Sequence, residues 1–329
     1  MGKILFAFGL ILVGLAAGYL IQVLVRNEIL RLPFPLDRLR RGLQKAALLW
    51  INPLPIVGAL WIIKIHDPRM AAFPLFGTEA IFIGGLLAFG GSRLLNLGRR
   101  EAGAFFGCGF FTNTAAFGAF ISYVFLGESG FALVPIYRLF EELAFYVIGF
   151  PIARWYGTES PERETISARL KRVVTDAFTI VPAISLLIGF LLNRSGLPRP
   201  AFYEMVNAVC IPLAIFLLLA SIGLAMRFTT IRYYLKECLA VSAIKFMLVP
   251  TALTLTASLL GFGRIQEGLP LKVVLIVSSM PVAFTALVPP SIYDLDLDLA
   301  NACWLFTTAL LAIMVQYVLV IIGDHRLIG

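Results

Sequence analysis

A chain of 329 residues that is 60% hydrophobic, 14% charged and +0.91 in mean hydropathy carries more apolar side chain than a water-soluble core of that size can hide. Its net charge of +8 is scattered through short loops, without the basic stripe or aromatic platform of a nucleic-acid binder. Two histidines, His66 and His325, and four cysteines without Cys-x-x-Cys spacing leave almost no material for a hydrolytic or metal centre, so neither enzymatic chemistry nor a cofactor is expected.

The apolar segments are mostly about 20 residues long, enough to cross about 30 Å of hydrocarbon as helix at about 1.5 Å per residue. Short alternating segments of the β-barrel kind are missing from the sequence. The first span covers 4–25 and is long for the core of a cleaved signal peptide, so it reads as a retained span. Further spans follow at 46–63, 73–95, 104–126, 131–153, 177–192, 205–226, 239–260, 273–293 and 302–322, ten in all. Cys108, Cys210, Cys238 and Cys303 fall in or at the ends of these segments and are expected as free, buried thiols.

Lys and Arg are retained on the cytoplasmic side, so their distribution over alternate loops predicts orientation. Seventeen lie on one side, from Arg26 through Arg99, Arg100 and Lys171 to Lys236, and eight on the other, counting Lys3, Lys64, Arg69 and Arg326. Both termini are therefore expected outside a plasma (inner) membrane, in a multi-pass protein. The longest polar stretch, 155–176, with Glu159, Glu162, Arg163, Glu164, Arg169, Lys171 and Arg172, divides the spans five and five. Because five is odd, a second copy of a five-span unit enters the membrane in the opposite sense, the inverted repeat common among secondary transporters. The expected organisation is a first repeat at 1–155, a cytoplasmic linker at 156–176 and a second repeat at 177–329.

Within this all-α plan, polar interruptions mark the candidate site. Thr112, Asn113 and Thr114 break the fourth span, and a polar triplet in lipid is costly unless it lines a cavity or is satisfied by neighbouring helices. In the ninth span Pro281 removes a backbone donor, with Ser278 and Ser279 just before it and Thr285 one turn later. Interruptions at matching places of two halves point to a binding site for a small anionic or polar solute, with Asn113 as the leading contact. Interhelical hydrogen bonds alone are the bland alternative for the triplet. Asn52, beside Pro53 and Pro55 in the second span, either joins that cavity or caps a helix. Arg138, Glu141 and Glu142 place charge inside the fifth span at spacings that allow internal pairing, with Lys245 of the eighth span as an alternative partner. The cluster is either a structural salt bridge or the carrier of a coupling proton.

Arg99-Arg100 followed by Phe110-Phe111-Thr112-Asn113-Thr114 and Gly118, then Lys245-Phe246 through Pro250, then Met280-Pro281-Val282-Ala283, resemble the auxin efflux carrier family of plant exporters and bacterial permeases. The resemblance covers the whole chain as a ten-span plan. It implies an elevator-type carrier of organic anions, with a scaffold of spans 1, 2, 6 and 7, a transport domain of spans 3–5 and 8–10, and crossed fourth and ninth spans. The chain departs from that pattern where Ala119 and Phe120 follow Gly118, where Thr285 stands near a common asparagine, and in its charged fifth span. The rival is a sodium-coupled symporter of the bile-acid type, which shares the inverted plan; the crossing here offers hydroxyls and one amide, and an acidic group only if Glu141 or Glu142 reaches it. A channel or a membrane-embedded enzyme is disfavoured by the lack of a repeated filter sequence and of paired Asp or His. The expected partners are a small organic anion, a proton or sodium as coupling ion, membrane lipid and a second copy of the chain in a homodimer.

Overall fold

The computed structural model describes residues 2–63, 67–157, 165–226 and 231–323. Lys64, His66, Glu159, Glu162, Arg163, Glu164, Arg227, His325 and Arg326 lie outside them. The regular elements among the described residues are helical, with one isolated β-bridge between Thr112 and Val282. The chain forms two units, each assembled from separate stretches of sequence.

The first unit comprises Met1–Ile65, Ala115–Pro135 and Asp176–Met226. It holds α1 (Gly2–Arg26), α2 (Leu36–Lys45), α3 (Pro53–Ile62), most of α6 (Ala119–Tyr137), α10 (Ala177–Arg194) and α11 (Phe202–Gly223). A π-type turn over Ala46–Ile51 carries α2 into α3, whose fixed start at Pro53 suits a first helical turn. Asn52 precedes Pro53 and makes no side-chain capping bond. Inside α6, Gly127 adopts φ 69°, a left-handed conformation that glycine reaches without a Cβ penalty, and it splits the helix where the fourth span gives way to the fifth.

Lipid offers helices no hydrophobic incentive to associate, so small residues that admit close backbone approach take over that role. Gly14 and Gly18, four apart on α1, face Leu219, Ala220 and Gly223 of α11: a Cβ on Gly18 would fall 2.0 Å from Ala220 O, and one on Gly223 2.2 Å from Leu15 O. Gly18→Leu is expected to cost about 1–3 kcal/mol by overpacking, whereas Gly9→Leu, with nothing within 4 Å of its position, serves as the neutral control in thermal unfolding of the purified protein.

One polar cluster ties this unit together. Arg199 donates from Nη1 to Glu128 Oε2 and, at 3.0 Å, to Gly58 O, while Asn207 Nδ2 donates to the same carboxylate at 2.9 Å. Nearby, Asn193 Nδ2 donates to the carbonyls of Leu60, Trp61 and Ile63, at the end of α3 where helical donors run out.

The second unit comprises His66–Thr114, Ile136–Thr175 and Arg227–Gly329. It contains α4 (Phe73–Leu94), α5 (Arg99–Phe110), α7 (Glu141–Ala144), α8 (Phe150–Tyr156), α9 (Ile166–Thr175), α12 (Leu235–Ala243), α13 (Val249–Leu259), α14 (Leu269–Ser278), α15 (Val288–Tyr293) and α16 (Leu297–Gly323). Phe73, Phe76, Tyr137 and Phe262 form one aromatic cluster, and Phe106, Phe110, Phe111 and Phe145 another. Cys108, Cys238 and Cys303 are buried, the first two thiols within reach of the third, so α5, α12 and α16 pack around sulfur; Cys210, on α11, is half-buried.

Seven helical stretches among the described residues are long and apolar enough to cross a membrane, in keeping with a polytopic membrane protein. The fourth, ninth and tenth predicted spans are not among them: the fourth and ninth are broken, with 12 residues in α5, 10 in α14 and 6 in α15, and the tenth is represented by the shorter apolar stretch Leu297–Leu311. The end of the fourth and the whole of the fifth instead form one 43-residue stretch, Thr114–Tyr156, bent at Gly127 and at the turn after Pro135 and Tyr137.

Candidate functional site

Helix α5 stops at Phe110 because the residues that follow, Phe111, Thr112 and Asn113, are poor helix formers whose backbone groups bond elsewhere. Helix α14 stops at Ser278 because Pro281 lacks an N–H and disfavours helical geometry in the residue before it. The two unwound segments pair antiparallel. Asn113 N–H donates to Pro281 O at 2.9 Å and Ala283 N–H donates to Phe111 O at 3.1 Å, flanking the Thr112–Val282 bridge. Val282 N–H turns the other way, to Thr307 Oγ1 of α16 at 3.2 Å.

This pairing leaves an unfilled acceptor. In an uninterrupted helix Gly109 O would receive the N–H of residue 113, four positions on, but that donor is committed to Pro281. Lys245 supplies the replacement: its Nζ donates to Gly109 O at 2.7 Å and to Thr112 Oγ1 at 2.6 Å, with only 1% of the residue exposed. An ammonium carries three N–H donors, so one remains for another ligand. Lys245 lies in a π-type turn, Ile244–Leu248, just ahead of Pro250, and such turns cluster at functional sites.

On the other side of the triplet, Thr114 Oγ1 donates to Glu141 Oε2 at 2.7 Å, and Arg138 Nε donates to the same oxygen at 2.6 Å. Glu141 is 6% exposed and Arg138 25%, and Glu142 adds a second carboxylate to the guanidinium's surroundings. The candidate charges therefore fall into two groups: Arg138 with Glu141 and Glu142, and Lys245 with the end of α5. Thr112, Asn113 and Thr114 are all buried and lie between them.

The ninth-span hydroxyls behave differently from the triplet. Ser278 and Ser279 both donate to Leu275 O, at 3.3 and 2.7 Å, and so close off the last turn of α14. Thr285 sits half-buried in the short 3-10 turn Phe284–Leu287. Asn52 belongs to the first unit, apart from the other candidates in the chain's division. Three contributors went unnoticed in the sequence: Gly109, Tyr137 and Thr307. The Thr307-Thr308 pair inside an apolar span was a signal of the same kind as the triplet, and Tyr137 sits immediately before Arg138. Nothing local marks Gly109, because its role is the position of a carbonyl.

A concavity of about 1120 Å³ lies in the same unit between the start of α5 and the α15–α16 connection. Arg100 Nη2 pairs with Asp294 Oδ1 at 2.5 Å across it, and Tyr234 donates its hydroxyl to Asp296 Oδ2 at 2.9 Å. Burial and the Asp296 carboxylate push the Tyr234 phenol well above its usual range.

No family model matches the chain. It is 25% identical over 187 residues to a protein named as an uncharacterized transporter from Methanothermobacter thermautotrophicus. The matched stretch covers 56% of this chain and 56% of that relative, so the chain spans a little over half the length of the relative it resembles.

Proposed function

We propose that this chain is a secondary transporter of small organic anions, of the auxin efflux carrier type. Its ten spans form two inverted repeats, 1–155 and 177–329, joined by the linker 156–176, with both termini outside a plasma (inner) membrane. The observation that carries the proposal is the backbone pairing of two interrupted apolar segments beside Lys245, a buried ammonium with one donor to spare. A carboxylate is the natural ligand for such a donor, since a hydrogen bond between two charged groups is about twice as strong as a neutral one. Asn113, whose backbone is held by Pro281, adds the amide contact, with Thr112, Thr114 and Thr285 around it.

The loop contacts support the ten-span topology. Within the first unit, Trp61 donates to Leu197 O, Asn193 to Ile63 O and Arg199 to Glu128, each pair joining loops on the predicted outer side. Within the second, Arg69 donates to Gly261 O, again between outer loops, while Arg99 to Trp155 O, Arg100 to Asp294 and Tyr234 to Asp296 join inner ones. A register with one span more or fewer would have put some of these partners on opposite faces of the bilayer. The division into units supports an elevator: the first contains spans 1, 2, 6 and 7, the second contains spans 3, 8, 9 and 10, and the fourth and fifth are shared between them. The relative named as a transporter points the same way.

The test begins with a thermal-shift screen of carboxylates on the purified chain, followed by uptake of the best ligand into proteoliposomes. Asn113→Ala is expected to cut uptake by about 10-fold or more, the loss of one hydrogen bond to a charged group. Wild-type uptake by that variant overturns the assignment of Asn113, and a screen without any stabilising anion overturns the substrate class.

A further inference from the structure

Between the two charge groups lies a cavity of about 10 Å³, roughly the space of one water molecule. Its polar walls are Thr112, Thr114, Tyr137 and Glu141, and its apolar walls include Ile81 and Phe145. The Tyr137 hydroxyl is buried and has no hydrogen-bond partner among the described residues, although buried phenols ordinarily find one. Volume, polarity and an unanswered hydroxyl together meet the requirements for a bound water, which needs two to four polar partners.

We infer that this cavity binds a single water that completes a proton wire from Lys245 to Glu141, and that one proton held by this pair is what couples transport to the pH gradient. The inference rests on the transporter reading above. Donor directions favour it. Lys245 donates to Thr112 Oγ1, which leaves the Thr112 O–H to point into the cavity, and Thr114 already donates to Glu141 from the far wall. Transfer breaks one N–H bond of Lys245 and gives that proton to Thr112 Oγ1, whose own proton passes to the water. The water passes one of its protons to Glu141. The products are a neutral amine and a carboxylic acid, and the hydroxyl and water are regenerated unchanged. An anion bound beside Lys245 favours the ammonium. Its departure favours transfer to Glu141, whose partner Arg138 is a quarter exposed and marks the way out.

Other charged or titratable groups face this pair: Arg138 and Glu142 beside Glu141, Cys108 of α5 towards Lys245, and Glu79 of α4 towards Tyr137. Arg138, bonded to Glu141, and Lys245, bonded to Thr112, set positive charge behind two walls of the cavity, which disfavours a sodium ion in it.

The experiment uses the full chain in lipid nanodiscs, without substrate, and records infrared difference spectra between acid and alkaline pH. The expected result is a protonated-carboxyl band that Glu141→Gln removes and that Tyr137→Phe shifts in its pH midpoint. In proteoliposomes, Tyr137→Phe is expected to slow pH-driven uptake by about 10- to 100-fold through loss of water positioning. Tyr137→Phe keeps the ring and the charges, so it stays informative if Glu141→Gln does not fold. A band indifferent to both substitutions, or uptake that follows a sodium gradient and ignores pH, overturns the wire. Absence of any carboxylate ligand would sink the organic-anion reading instead, while the infrared band would still decide for or against the wire.

Discussion

Arg199→Ala is expected to destabilise the protein by about 3 kcal/mol, because it strands the Glu128 carboxylate in a largely buried setting. The two side chains are 8% and 20% exposed, Asn207 adds a donor to the same oxygen, and Gly58 O loses its partner as well. The attraction within such a pair is mostly consumed by the cost of removing both ions from water, so the pair itself adds little net stability. Arg199→Met combined with Glu128→Gln should therefore recover most of the loss. Thermal unfolding midpoints of the two single variants and the double variant in one detergent decide the matter. A double variant as unstable as either single variant, with no recovery, would show that the ion pair, and not the stranded charge, sets the energy.

The second large effect concerns two glycines of one helix with opposite expected signs. At Gly109 an added Cβ would fall 2.3 Å from Ala88 Cβ and 2.5 Å from Gly84 O, so Gly109→Ala must push α4 away from α5. Overpacking of this kind costs about 1–3 kcal/mol. It also shifts the carbonyl that Lys245 reaches, so transport should fall together with stability. At Gly107 the nearest atom is 3.7 Å away, ordinary contact, and Gly107→Ala should gain up to about 1 kcal/mol from helix propensity. Equal midpoints for the two variants would mean that the α4–α5 approach is looser than the backbone geometry implies.

The helical, membrane-crossing character of the chain was legible in the sequence because lipid imposes a simple rule: apolar stretches of fixed length with satisfied backbones. The triplet at Thr112–Thr114 and the proline at Pro281 announced their breaks, since each withholds a helical hydrogen bond that a neighbour must replace. What local pattern could not reveal was which neighbour. Lys245 looked like a partner for the fifth-span carboxylates by charge alone, yet it answers a backbone carbonyl and a threonine hydroxyl. Ser278 and Ser279 looked like site hydroxyls by position, yet they donate back to their own helix. Tyr137 carried no signal beyond its place beside Arg138, because an aromatic residue in an apolar span is ordinary packing until its hydroxyl is found against a cavity. Spacing reports faces and interruptions, whereas hydrogen-bond partners separated by more than a hundred residues depend on tertiary packing.

That separation governs how the protein is made. The acceptor at Gly109 waits for a residue 136 positions later, and the groups of Phe111 and Asn113 wait for Ala283 and Pro281. During synthesis α5 and the triplet after it therefore emerge before any of their replacement partners exist. Until α12 to α15 arrive, the broken segment must stay hydrated, rest against the insertion machinery or close provisionally into continuous helix. The last of these makes the break a late event, installed when Pro281 and Lys245 compete successfully for groups that the nascent helix had used for itself. Chains truncated before residue 245 would then carry an unbroken helix through Thr112–Thr114, and substitutions at Lys245 or Pro281 would register first as failures of maturation rather than of the finished protein.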